Sequence, residues 1–270
     1  MRRRLGQSLS AGVSGTAVSL LRASRWGGAA GAPLAEAMCA EEGDFAAIGA
    51  ALEAVLDSDD YAGWPLSIVL DDELVRLWEV TAPQGATRPA DLAAAAAMRF
   101  HGLYGDAPED WNIRADWRPG APFFAAAPRA LLALLERAAA ARGVPVVAVV
   151  PHFIAAWNRW QGALKADAWF GLMHGQVLRV GAVEGGVLRA VRALPLPSGA
   201  DHGWLTQTLG REALLLNLAA PRLLQLCGEV APAWRQAPSR AGHIATAAFA
   251  PASAVACSPG AALARCGSRT

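Results

Sequence analysis

The segment from Ala168 to Gly199 constrains this 270-residue chain more than any other, because alternation, turn chemistry and length agree there. Three extended runs, Trp169 to Met173, Val177 to Val183 and Val187 to Leu194, are separated by His174-Gly175-Gln176 and Glu184-Gly185-Gly186. In the second run Val177, Arg179, Gly181 and Val183 fall on one side and Leu178, Val180 and Ala182 on the other, the period of a strand. A Gly-Gly pair supplies the positive φ that a tight hairpin needs, so the segment is predicted to be a β-meander. A helical pattern over Asp201 to Leu218 and a short strand over Arg222 to Cys227 follow.

A similar order opens the chain. Ser8 to Val13 and Ala17 to Arg25 read as strands turning at Ser14-Gly15-Thr16, with a weaker third strand between Ala32 and Glu41. Asp44 to Leu56 is a predicted helix with Asp44 as N-cap, since Phe45, Ile48, Leu52, Val55 and Leu56 share one face. Trp64 to Leu70 and Leu74 to Thr81 are predicted strands around the turn Asp71-Asp72-Glu73. Pro83 to Arg88 reads as a linker, and Pro89 to Tyr104 as an Ala-rich helix with proline in its first turn. Trp111 to Trp117 and Pro122 to Ala127 read as a hairpin across Arg118-Pro119-Gly120, and Pro128 to Arg142 as a helix closed by Gly143. Val144 to Val150, fully apolar and rich in β-branched valine, is expected to be a buried strand of a central mixed sheet that also holds Trp169 to Val183. Phe153 to Leu164 is a predicted helix on which Trp157 and Trp160, three apart, are candidates for a partner-facing pair. From Ala231 onward Pro, Ser, Ala and Gly recur without period, which predicts a disordered tail.

Composition narrows the chemistry. The net charge is +1 and the arginines are scattered, so no nucleic-acid footprint is present; Lys165 is the only lysine. Cys39, Cys227, Cys257 and Cys266 have no C-x-x-C or His-paired spacing, and His101, His152, His174 and His202 lie on separate elements, so neither a zinc site nor a disulfide framework is expected. The most apolar run, Val144 to Trp157, is broken by Pro145, Pro151 and His152 and is shorter than the roughly 20 residues a membrane span needs. Met1-Arg2-Arg3-Arg4 lacks the apolar core of a secretory signal behind it, which favours a cytoplasmic location. The neighbours Asp201 and His202 cannot orient each other as a hydrolase triad requires, and Asp201 is expected to have a loop or helix N-cap role.

The order strand, strand, strand, helix, strand, then an α/β insertion, then the same order again resembles the actin-like ATPase superfamily. Within it the chain is similar to the type IV pilus assembly platform protein and to the cytoplasmic domain of the type II secretion L component. SLSAGVSGTAVSLLRA carries the first hairpin, FFAAAPRALLALLERAAAARGVPVVAVVPHFIAAWNRW the end of the insertion and its return, and AWFGLMHGQVLRVGAVEGGVLRAVRALPLPSGAD the second hairpin system. The resemblance implies an α/β fold of ribonuclease-H-type mixed sheets. It divides the chain into a first subdomain over 7–82, an inserted α/β subdomain over 83–150, a second subdomain over 151–230 and the tail over 231–270. Active members of the superfamily carry an Asp-x-Gly in each of two hairpins, where carboxylates hold magnesium and glycines admit the phosphates. Here Gly12 and Ser14 stand at the first motif and Gly171 and Met173 at the second; no Asp or Glu occurs from Leu5 to Ser24 or from Ala168 to Val183. The expectation is a non-catalytic cytoplasmic scaffold of pilus or secretion assembly, with no cofactor and no metal. Its cleft between subdomains or an exposed strand would take a peptide from an inner-membrane protein partner. The alternative expectation is a divergent nucleotide-binding ATPase or phosphotransferase.

Overall fold

A computed structural model describes residues 6–24, 31–80, 88–116, 123–230, 232–235, 238, 240–249 and 258–267. The chain divides into two compact units, residues 1–159 with 257–270 and residues 160–256.

Unit 1 begins with an antiparallel meander, β1 (Gln7–Val13), β2 (Ala17–Ser24) and β3 (Ala35–Met38). Helix α1 (Phe45–Val55) then crosses to β4 (Leu66–Leu70), which pairs parallel to β1. The Asp44 carboxylate accepts the Ala47 N–H at 2.9 Å, the cap its sequence position predicts. After an insertion, α3 (Arg129–Ala141) leads through Gly143, at φ +65°, to β8 (Val146–Pro151), and α4 (His152–Trp160) follows. The sheet order is β3-β2-β1-β4-β8. Alternation assigns its faces: Leu9, Ala11, Val13, Ile68 and Leu70 join Ile48, Leu52, Leu131 and Leu135 of α1 and α3 in one buried core.

The insertion has its own sheet and core. It comprises β5 (Arg76–Glu79), α2 (Pro89–Tyr104), β6 (Trp111–Asp116) and β7 (Phe123–Pro128) in the order β5-β7-β6. Trp78, Phe100, Phe124 and Ala126 are buried together, and Trp78 stacks on Phe124 with ring centroids 5.6 Å apart. The insertion sheet therefore starts before residue 83, and β8 belongs to the main sheet of unit 1. The turn over Arg118-Pro119-Gly120 lies outside the described residues.

Unit 2 repeats the plan. Strands β9 (Ala168–His174), β10 (Val177–Glu184) and β11 (Val187–Pro195) form the expected meander, with Gly185 and Gly186 at φ +58° and +76° in the second turn. Helix α5 (His202–Leu215), capped by the Asp201 carboxylate on the Trp204 N–H at 2.9 Å, leads to β12 (Leu223–Gly228), parallel to β9. Leu178, Val180 and Ala182 point into a core with Leu205, Leu209, Leu224 and Leu226, as their alternation predicts. The two meanders lie in different sheets, so β8 and β9–β10 do not share one central sheet.

The expected disordered tail is corrected. Strand β13 (Ala245–Ala248) pairs parallel to β12 and completes the order β11-β10-β9-β12-β13. Trp234, in a 3₁₀ turn over Pro232–Arg235, is buried and stacks parallel to Trp204. Helix α6 (Pro259–Gly267) lies on the face of the unit 1 sheet opposite α1, with Ala261, Leu263 and Ala264 buried against Leu21 and Val69. The Ser10 hydroxyl donates to the Ala264 carbonyl at 2.7 Å. Small residues allow this approach. Ser10, Gly12 and Ser19 form the sheet surface, and Gly260 and Gly267 meet it from the helix. No helix among the described residues is long and apolar enough to cross a membrane.

Candidate functional site

Strand β8 hydrogen-bonds to β4 on one side and is the outer strand of its sheet. The expectation of a fully buried strand is corrected: Val147 is 61% exposed, while Val146 and Val149, partly buried, pack against the core of α1 and α3. An apolar β-branched run fits an edge as well as a centre, because periodicity reports the strand and not its neighbours.

Beside β8 runs a groove of about 300 Å³. One wall is Val146 to Val149, and the other is built from Asn112 and Arg114 of β6, Ala125 and Ala127 of β7 and Leu132 and Glu136 of α3. Register explains the second wall. Asn112 opposes Ala127 and Arg114 opposes Ala125 across the β6–β7 ladder, so all four point away from the Trp78 core. Two alanines on that face leave room that larger side chains would fill. The groove thus combines an open strand edge, apolar walls and one side chain of each charge.

The residues singled out by sequence fall elsewhere. Gly12 lies in β1 beneath α6, where a Cβ would stand 2.1 Å from the Gly260 carbonyl oxygen and 2.6 Å from the Ala264 nitrogen. Ser14 closes the first hairpin, its hydroxyl donating to the Ala17 carbonyl at 3.0 Å and accepting the Ala17 N–H at 3.0 Å. Gly171 faces the α5 side of the second sheet, where a Cβ would meet Leu226 Cδ2 at 2.6 Å; Met173 is buried on the same side. Gly12 therefore faces away from the crossover helix of its unit and Gly171 faces toward its own, so the two glycines are not equivalent positions. The proposed tryptophan pair is also corrected. Trp157 is only 5% exposed, and Trp160 stacks on Phe249 with centroids 5.2 Å apart, so they form no open patch.

Two carboxylates read only as a turn are buried. Asp71 and Asp72 stand at the carboxyl end of β4, where the Asp71 N–H donates to the Val13 carbonyl at 2.8 Å. Asp71 accepts the Glu73 N–H at 3.2 Å, and both oxygens of Asp72 accept the Phe153 N–H at 3.0 Å, tying β4 to the first turn of α4. Nearby, burial pushes the Cys266 thiol up to about 12, with Arg159 opposing and Asp72 reinforcing the shift, so this thiol is protonated at neutral pH. Among the described residues no group of three or more His, Cys, Asp or Glu side chains is arranged to hold a metal.

No protein-family model matches the chain, and no curated protein matches it by sequence. Solved structures do. The cytoplasmic domain of EpsL, an inner-membrane component of the type II secretion system of Vibrio cholerae, superposes with a TM-score of 0.55 at 16% identity, over 87% of this chain and 90% of that one. A Bacteroides thetaiotaomicron protein with actin-like ATPase fold and unknown function matches with TM-score 0.55 and 12% identity, over 84% of each chain. The chain has the actin-like ATPase fold. The PilM-PilN type IV pilus biogenesis complex matches equally, with TM-score 0.55 and 16% identity over 84% of this chain and 82% of that one. In the actin-like fold the two meanders, each followed by a helix and a parallel strand, are the repeated halves, and the β5-β7-β6 sheet with α2 is an insertion into the first. Sequence reasoning anticipated that repeat and missed the groove, whose walls come from strands that α3 separates in the chain.

Proposed function

We propose that the protein is a non-catalytic scaffold that binds an extended peptide of an inner-membrane pilus or secretion component in the groove beside β8, on the cytoplasmic side. The open β8 edge carries this reading. Its outer N–H and C=O groups can pair with an added strand, while the groove admits alternate side chains, so the main chain supplies affinity and the walls supply selection. Arg114 and Glu136 would favour a peptide carrying charges of both signs. Likeness in fold to the EpsL cytoplasmic domain and to the PilM-PilN complex supports the choice of machinery. The absence of Asp and Glu from residues 5–24 and 168–183, which hold the two degenerate motif positions, supports loss of hydrolysis, because phosphoryl transfer depends on carboxylate-held metal and a positioned base.

The test is a binding screen of peptides tiled across the cytoplasmic segments of inner-membrane pilus and secretion proteins, run beside a magnesium-ATP titration. At least one peptide is expected to bind wild type and to lose about tenfold or more in affinity on Val147→Asp, with no ATP turnover. Turnover that disappears with Asp71→Asn or Asp72→Asn would overturn the scaffold reading and make the protein an ATPase.

A further inference from the structure

The carboxyl end of α5 presents two adjacent, strongly exposed large apolar side chains, Leu214 at 82% and Leu215 at 72%. Adjacent helical positions diverge by about 100°, so exposure of both means that the last turn stands clear of the sheet. Leu216 and Leu218 anchor it, packing partly against the core of unit 2. The chain then leaves the helix through Asn217 at φ +54° in a Schellman arrangement, Leu218 N–H to the Ala213 carbonyl at 2.9 Å and Asn217 N–H to the Leu214 carbonyl at 3.1 Å. These bonds satisfy carbonyls that would otherwise resist entry into an apolar medium. Ala219 and Ala220 extend the exposed apolar tip.

The charge around the tip selects its partner. Arg211 lies three and four residues before the leucines, on their side of the helix, and its side chain is 68% exposed. Arg222 follows the tip and is exposed. From residue 202 to 228 the single acidic side chain is Glu212, which is buried and bridged to Arg192 at 3.6 Å and Arg211 at 3.3 Å. The exposed charged side chains of the helix end and its loop are therefore Arg211 and Arg222, with exposed Asp167 the acidic neighbour next to Arg222 at the start of the β12–β9 pairing. A twofold contact between copies would set these arginines against their own images, which disfavours a dimer here.

We propose that the α5 tip docks on an anionic lipid surface, with Leu214 and Leu215 entering the headgroup boundary while Arg211 and Arg222 meet lipid phosphates. This inference is independent of the groove. It is tested by flotation of the full chain with phosphatidylcholine vesicles containing about 30% phosphatidylglycerol, against phosphatidylcholine alone. Wild type is expected to partition several-fold more onto the anionic vesicles, and less as salt is raised. The double variant Leu214→Ser with Leu215→Ser should lose about tenfold in partitioning with an unchanged melting curve, because neither side chain is buried. Arg211→Gln should lose about threefold, Arg192 still pairing Glu212. Met38→Ser, at an exposed methionine of unit 1, should float as wild type does. Absence of wild-type flotation, or equal flotation of the double variant, would overturn the proposal. So would a wild-type dimer in light scattering that the double variant converts to monomer, which would assign the tip to a second copy.

Discussion

The two sheets share one order, a meander followed by two parallel strands, yet they finish differently. In unit 2 the outer parallel strand is the four-residue β13, held by a chain of hydrogen bonds: His202 Nε2 lies 3.1 Å from Thr246 Oγ1, which donates to the Trp234 carbonyl at 2.6 Å. In unit 1 the outer parallel strand is the six-residue β8, with Val147 exposed above a groove. A short, tied edge is the usual defence against unwanted pairing, and a longer open edge is a liability unless it is used. Identical topology therefore specifies neither which edge is open nor what lies beside it. Those follow from side-chain size on the neighbouring elements, alanines along the groove and a tryptophan–threonine lock on β13.

The faces differ as well. The unit 1 sheet carries α6 on the side away from α1, and removal of α6 should produce the largest loss of stability. A chain ending at residue 257 would uncover Leu21, Val69 and the glycine-serine surface of β1 and β2, and would lose the Ser10 hydrogen bond. Burial of Leu263 and two alanines amounts to several kcal/mol, so the melting temperature should fall by about 10 °C. A fall of under about 2 °C would return this segment to the status of a tail.

Two glycines sharpen the contrast. The Cβ of Gly12→Ala would press on backbone atoms of α6, which cannot rotate away, so urea denaturation should show a loss of about 3 kcal/mol. Gly171→Ala meets the flexible ends of Leu226, Leu224 and Leu178 and should cost about 1 kcal/mol. The reverse order would mean that α6 is loosely held and that the unit 2 core is the stiffer one.

Within β8 the same logic separates neighbours. Val149→Asp places a charge against the α1–α3 core and should cost about 3 kcal/mol, whereas Val147→Asp should change stability by less than about 0.5 kcal/mol while abolishing peptide capture. Equal destabilisation by both would show that the outer face of β8 is covered.

Elements whose boundaries are set by local chemistry were legible in the sequence. The Pro at the start of α2, Asp44 and Asp201 as caps, Gly143 after α3 and the Gly-Gly turn each mark an end without reference to the rest of the fold. Helix α6 was not legible. It carries one large apolar residue, Leu263, and is held by close approach, which needs small residues on both partners some 250 positions apart. The three-residue spacing of Trp157 and Trp160 placed them on one helix but could not say what covers them. The groove was illegible for the same reason: Ala125 and Val147 belong to different sheets, and only the tertiary arrangement brings them beside one cavity.

The smallest expected effect concerns the caps of the two crossover helices, Asp44 on α1 and Asp201 on α5, which hold equivalent N–H groups at the same distance. The hydrogen bond from the Trp204 N–H is the main cause that holds the Asp201 carboxyl below its ordinary value of 3.8, with His243 adding a lesser attraction. A carboxylate whose folded value is depressed binds its proton less readily in the native state than in the unfolded one. Its stabilisation is therefore complete above 3.8 and is lost as pH falls through the folded value. Asn caps a helix about as well and does not titrate in this range. Urea midpoints of wild type and Asp201→Asn should consequently differ by a constant amount near neutral pH, and that difference should shift against wild type below about pH 4. A difference that stays flat down to pH 3 would mean that the α5 cap is carried by another group, and that the likeness between the two crossover helices ends at their first residue.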